Sequence, residues 1–121
     1  MRVLFVEYPK CSTCMKAKKW LEENKVSFED RHIVEQNPSA QELKEWHQRS
    51  GLPLKYFFNT SGMLYRSMNL KDQIPNLTEE EQYALLAQNG MLVKRPLIVG
   101  GDFVLVGFKQ AQWEEKLKEA K

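Results

Sequence analysis

The chain has 121 residues, 42% hydrophobic and 28% charged, with 18 Lys and Arg against 16 Asp and Glu and a net charge of +2. That length suits one domain whose core needs no disulfide or metal staple, and the composition is ordinary for a globular protein. So small a net charge gives no case for nucleic acid as an obligate partner, and no apolar run approaches the ~18 residues of a membrane span.

RVLFV at 2–6 is a short β-rich apolar run and reads as a buried strand. It is too short, and lacks the small-residue cleavage site, to be a signal peptide, so a cytoplasmic location is expected. After a turn at Tyr8-Pro9-Lys10 the pattern becomes helical from Ser12 or Thr13, with Cys14, Ala17 and Leu21 on one face and Asn24 as the stop. VSFEDRHIV at 26–34 alternates as a second strand, so the opening reads β-α-β with a parallel strand pair.

Residues 36 to 90 read as all-helical. Ser39 and Glu42 form a capping box ahead of Leu43, Trp46 and His47 at helical spacing, and Gly51 and Pro53 break that helix. LKYFFNTSG is ambiguous between helix and extended chain. Asn69 caps a short helix that Pro75 ends, and Thr78 and Glu81 form a second capping box before a helix that Gly90 closes. Strands return at 96–99 and 102–108, joined by a Gly100-Gly101 hairpin turn. A last helix over 109–119 carries Trp113 and Leu117 on its apolar face. No repeat, low-complexity tract or linker divides the chain, so residues 1–121 are expected to form one domain.

Both cysteines, Cys11 and Cys14, lie on the first strand-to-helix turn. In a reducing compartment a CxxC pair is catalytic, redox-sensing or metal-binding rather than a permanent staple. On such a turn it reads as a thioredoxin-like redox motif. The first cysteine sits where unpaired helix N–H groups and the dipole favour a thiolate, and the second lies one turn on, near enough to close a disulfide. Lys10, Lys16, Lys18 and Lys19 add positive potential, so Cys11 is expected to be more acidic than a free thiol, while a nearby Glu7 carboxylate would oppose this. Zinc would need two further ligands. Only His32 and His47 are left for it, without the H-x3–5-H spacing. Both histidines read as structural or exposed, and Trp46, Trp113, Phe57 and Phe58 as core.

YPKCSTC at 8–14, KAKKWLEE at 16–23, KRPLIV at 94–99 and VGF at 106–108 together resemble the arsenate reductase family of the ArsC and Spx type, over nearly the whole chain. The resemblance implies an α/β, thioredoxin-like fold: β-α-β, a helical insertion at about 36–90, then β-β-α, with a mixed central sheet. It implies Cys11 as nucleophile, Arg95 as the arginine that holds an oxyanion, and Pro96 as a cis proline beside the active-site turn. Cys14 completes a redox pair, and Lys10, Ser12, Thr13 and Pro96 are the expected substrate-binding positions. No bound cofactor or metal is implied. Glutathione, glutaredoxin or thioredoxin would serve as reductant, and the partner would be a small thiol or redox protein.

The departures are specific. Of the three arginines around the anion in glutaredoxin-coupled arsenate reductases, only Arg95 has a counterpart; Asn59 and Gly107 stand near the other two, and Glu7 replaces a histidine. A dianion wants several charge-assisted donors. Three readings stay open in this order: a thiol–disulfide oxidoreductase; an Spx-type redox-sensing regulator that binds the C-terminal domain of the RNA polymerase α subunit; and a glutathione- and glutaredoxin-dependent arsenate reductase. Spx chains usually run longer, with a basic tail, and Gly51 near their contact glycine discriminates little, since arsenate reductases share it.

Overall fold

In a computed structural model, which describes residues 2–119, the chain divides into two compact units. One takes the chain as far as His32 and again from Arg95; the other is Ile33–Lys94. In the first, the apolar run forms β1 (Arg2–Glu7) and pairs in parallel with β2 (Ser27–His32), Phe5 facing Asp30 and Glu7 facing His32. On its other side β1 pairs antiparallel with β3 (Leu97–Val99), and β3 with β4 (Val104–Val106). The strand order is β2-β1-β3-β4, a mixed four-stranded sheet. The two central strands are mostly apolar and buried, whereas β2, at an edge, is SFEDRH with three residues exposed and none fully buried. Polar edges of this kind resist pairing with another chain.

Helix α1 (Ser12–Glu23) buries Cys14, Ala17 and Leu21, the i, i+3, i+7 stripe expected of an amphipathic helix. It ends at Asn24 in a Schellman turn: Val26 N–H donates to Leu21 O at 3.0 Å and Lys25 N–H to Glu22 O at 3.2 Å. Lys25 takes the left-handed position that glycine usually fills, at φ 56°. The last helix of the chain is Gln110–Glu119. Trp113 and Leu117 from it join Val3, Phe5, Ala17, Leu21, Ile98 and Leu105 in one core. Trp113 is wholly buried, and its indole N–H is satisfied by Gly107 O at 3.1 Å. This β-α-β then β-β-α sheet with its flanking helices is a thioredoxin-like fold.

The β3–β4 connection is longer than a two-residue hairpin. It runs Gly100 to Phe103, with Gly100 N–H donating to Phe103 O at 2.8 Å, and neither Gly100 nor Gly101 adopts a positive φ. Gly100 is needed for space, because a Cβ there would press into the Phe103 ring.

The second unit contains α2 (Ala40–Ser50), α3 (Met63–Ser67), α4 (Leu70–Gln73) and α5 (Glu79–Gln88), with 3-10 turns at Leu54–Phe57, Ile74–Asn76 and Gly90–Leu92. Both capping boxes form. Glu42 N–H donates to Ser39 Oγ and Glu81 N–H to Thr78 Oγ1, each at 3.1 Å, and each glutamate accepts the cap residue's N–H in return. Helix α2 packs on α5 through Leu43, Trp46, Tyr83 and Leu86, and His47 hydrogen-bonds the Tyr83 hydroxyl at 2.6 Å, so His47 is structural. Gly51 ends α2 in the left-handed conformation, φ 69°. Asn69 precedes α4 but makes no side-chain cap. Gly90 does not cap α5 either: the helix ends at an extended Asn89, whose Oδ1 accepts Met91 N–H at 2.9 Å.

Candidate thiol site

The chain leaves β1 at Glu7, turns through Tyr8-Pro9-Lys10, and enters α1 with Cys11 as the N-cap residue. Cys11 N–H donates to Tyr8 O at 3.0 Å, which closes the turn, and Met15 N–H donates to Cys11 O at 3.0 Å, which starts the helix. Cys11 is half-buried, and Cys14, one turn on, is wholly buried; neither is in a disulfide.

These positions give the two thiols different acidities. Burial alone would push the Cys11 thiol up. The amide and thiol of Cys14, the Arg95 guanidinium and the amide of Thr13 outweigh it, and Cys11 is held below the ordinary thiol value. The neutral thiol makes no capping bond of standard geometry, yet the first-turn amides are directed at the sulfur, so they stabilise the thiolate selectively. Cys14 goes the other way. Burial, then the hydrogen bond and charge of Cys11, push it up to about 12 against the Tyr8 amide and Arg95.

Arg95 stands before β3, joined to Pro96 by a cis peptide bond, and Pro96 is buried with its carbonyl accepting Gly107 N–H at 2.8 Å. Arg95 is half-buried, and its guanidinium carbon lies 5.3 Å from the centroid of the Tyr8 ring. Thus Cys11, Cys14 and Arg95 come together. Lys10, Ser12 and Thr13 are exposed on the same turn. The cation that acts on Cys11 is Arg95, whereas Lys18 pairs with Asp30 at 3.0 Å and Lys19 with Glu23 at 4.0 Å. The lysine run therefore reads mostly as a solvated helix face.

Glu7 is only 3% exposed, and its Oε1 has no hydrogen-bond partner. The parallel register puts Asp30 on its face of the sheet. Burial, then a hydrogen bond to Asp30, then that carboxylate's charge raise the Glu7 pKa from 4.5 to about 7, with Lys18 opposing. The charges that act on Glu7 are thus on β2 and α1. A folded-state pKa above the unfolded one means that folding retains a proton. Stability from Glu7 is full below about pH 4.5 and is lost as pH rises through 7. The loss is on the order of 3 kcal/mol. Glu7→Gln keeps the shape and a donor for Asp30, so it should flatten this decline and stabilise the fold at pH 8. Urea unfolding of both proteins at pH 5 and pH 8 reads the difference, and equal pH slopes would contradict the assignment.

Among the described residues no group of three His, Cys, Asp or Glu side chains is placed to hold a metal ion, and no helix is long and apolar enough to cross a membrane. Sequence reasoning did not foresee Tyr8 under Arg95 or Asp30 beside Glu7. An aromatic directly before the proline of the CxxC turn was the available sign of the first. The two-residue period of β1 against β2 was the sign of the second.

The thioredoxin-like sheet, with an acidic, half-buried cysteine at the first helix N-terminus, a buried cysteine one turn later and a neighbouring arginine, is a thiol oxidoreductase-like fold. Residues 6–116 match the ArsC family, and the chain belongs to it. It is 56% identical over 115 residues to the protein YusI of Bacillus subtilis (strain 168), covering 95% of this chain and 98% of that one. A crystal structure from Bacteroides fragilis, described as ArsC family related, superposes with a TM-score of 0.92 at 58% identity, covering 95% of this chain and 97% of that one. Regulatory protein MgsR of Bacillus subtilis (strain 168) is 26% identical over 111 residues, covering 92% of this chain and 86% of MgsR.

Proposed function

We propose that the chain is a thiol–disulfide oxidoreductase of the cell interior that works through Cys11 and Cys14. The observation that carries this reading is the split between the thiols: Cys11 half-exposed and acidic, Cys14 buried and raised to about 12. The Cys11 thiolate attacks one sulfur of a substrate disulfide, a Cys11–substrate disulfide forms, and the other sulfur leaves as a thiolate that takes up a proton. The Cys11 charge, one of the causes that hold Cys14 protonated, disappears at that step. Cys14 then attacks Cys11 Sγ as a thiolate, and the proton it gives up goes to the departing substrate sulfur. The second substrate sulfur leaves reduced, and the two electrons delivered are replaced by a Cys11–Cys14 disulfide. Thioredoxin, glutaredoxin or glutathione supplies the electrons that reopen it, and no bound cofactor takes part.

Cys14→Ser tests the division of labour. Incubated with a small disulfide, it should accumulate a mixed disulfide on Cys11, seen by mass spectrometry, where the wild-type chain passes on to its internal disulfide. A serine variant that turns over without a trapped species would remove Cys14 from the mechanism.

A second reading, a redox-switched regulator of the Spx type, is favoured by the similarity to MgsR, whose name calls it a regulatory protein. It requires binding to the C-terminal domain of an RNA polymerase α subunit, with an affinity that differs between the dithiol and disulfide states. Titration of that domain with both states decides it. Arsenate reduction has less support. Asn59 and Gly107 bring no charge to an oxyanion, so Arg95 would have to hold it alone among the three family arginines.

A further inference from the structure

Tyr8 touches Cys11, Cys14 and Arg95. Its carbonyl accepts Cys11 N–H at 3.0 Å. Its amide is directed at the Cys14 sulfur. Its ring lies under the Arg95 guanidinium, 5.3 Å from centroid to Cζ. The ring is itself fixed from the sheet: His32, at the end of β2, meets it edge-on at 90° with centroids 5.7 Å apart. Tyr8 is half-buried, so its ring has a protein-facing side for these contacts.

We propose that Tyr8 is a positioning residue for the cysteine pair, its ring seating the Arg95 guanidinium where that charge reaches Cys11, while its backbone holds the two ends of the CxxC turn. The proposal rests on the reading of Cys11 as the nucleophilic thiolate and adds to it what places the cation. The physical reason is geometric. Arginine has four side-chain torsions and reaches the site from a different strand connection, so its charge helps the thiolate only if something limits where it goes. An aromatic face attracts a guanidinium and holds it flat, with its edge donors able to turn to the sulfur. The same ring stands on the turn whose carbonyl and amide fix Cys11 and Cys14, so cation and thiols are referenced to one residue. The titratable groups that act on Cys11 are Cys14 on its own helix and Arg95 before β3.

The ring and the backbone can be separated, since a side-chain substitution leaves the carbonyl and amide in place. The experiment is the pH profile of Cys11 alkylation by iodoacetamide, followed by mass spectrometry, on the full chain. The variants are Tyr8→Phe, Tyr8→Leu, Arg95→Met and the Tyr8→Leu/Arg95→Met double. Tyr8→Leu should shift the profile to higher pH and cut the rate at pH 6.5 by on the order of tenfold. Tyr8→Phe should restore the wild-type profile, because a phenyl face also holds a guanidinium. Arg95→Met should reproduce the Tyr8→Leu shift, and the double variant should show no further loss, the non-additivity of two residues acting through one contact. Tyr8→Met replaces Tyr8→Leu if the latter does not fold, as judged by circular dichroism. An unshifted profile in the folded leucine or methionine variant, or full additivity in the double, overturns the proposal. A wild-type Cys11 that titrates like a free thiol would overturn the nucleophile assignment instead, so the two failures are told apart.

Discussion

Cys11→Ser is expected to remove disulfide-reducing activity, a loss of at least about a thousandfold, because a serine hydroxyl without a dedicated base is a poor nucleophile. The expectation rests on the surroundings of this one sulfur. Cys11 is half-exposed, the amides of Thr13 and Cys14 are directed at it, and Arg95 adds its charge. Cys14 cannot substitute for it. It is wholly buried, and its thiol is raised to about 12, so at neutral pH it is neither ionised nor reachable by an external disulfide. Reduction of a small disulfide by dithiothreitol-regenerated protein measures the effect. A serine variant with more than a tenth of wild-type activity would place the attack elsewhere.

A large loss of stability is expected on substituting Gly90. Its φ is not in the left-handed region, so the requirement there is space rather than backbone freedom. The residue is buried, and a Cβ would overlap the Ile33 carbonyl oxygen, lie 2.8 Å from that carbonyl carbon, and press on Asn37 Oδ1 at 3.1 Å. Two of these three atoms are backbone and cannot rotate away. Asn37 is itself engaged, donating to Ala87 O at 3.1 Å at the end of α5. Gly90→Ala should therefore cost about 3 kcal/mol, the upper part of the range for overpacking a tight site. Gly101→Ala is the control: nothing lies within 4 Å of its Cβ, and it should change stability by a few tenths of a kcal/mol at most. Equal unfolding midpoints for the two variants would contradict the steric argument.

The parts of the fold that were legible in the sequence are those where local chemistry and burial agree. β1 is apolar and central, α1 carries a clean buried stripe, and the serine and threonine capping boxes each make both of their bonds. What was not legible depends on contacts distant in sequence. α3 has no buried residue and no side-chain cap, so nothing local announces Met63–Ser67. The 3-10 turn at Leu54–Phe57 is fixed by partners far along the chain: Lys94 N–H donates to Phe57 O at 2.8 Å, and Phe58 pairs with Val93. Gly90 looks like a helix cap until Ile33 is seen beside it.

The same division runs through the thiol site. That Cys11 and Cys14 lie one helical turn apart, and the likeness that brought in Arg95, needed only spacing and motif. Which cation serves the thiolate needed coordinates, because the nearby lysines are close in sequence but Lys18 and Lys19 turn to carboxylates. Glu7 posed the opposite problem. Its charge could be read, but not its neighbours, and those neighbours make it a buried, half-protonated carboxyl near neutral pH.

The central claim is that Cys11 and Cys14 form one redox couple. Titrating the chain through a series of thiol–disulfide buffers, then trapping free thiols and counting them by mass spectrometry, tests it directly. The account predicts a single two-electron transition in which both thiols disappear together and an internal disulfide takes their place. If Cys11 forms only mixed disulfides with the buffer thiol at every poise, and Cys14 stays free throughout, the account of a two-cysteine couple is wrong.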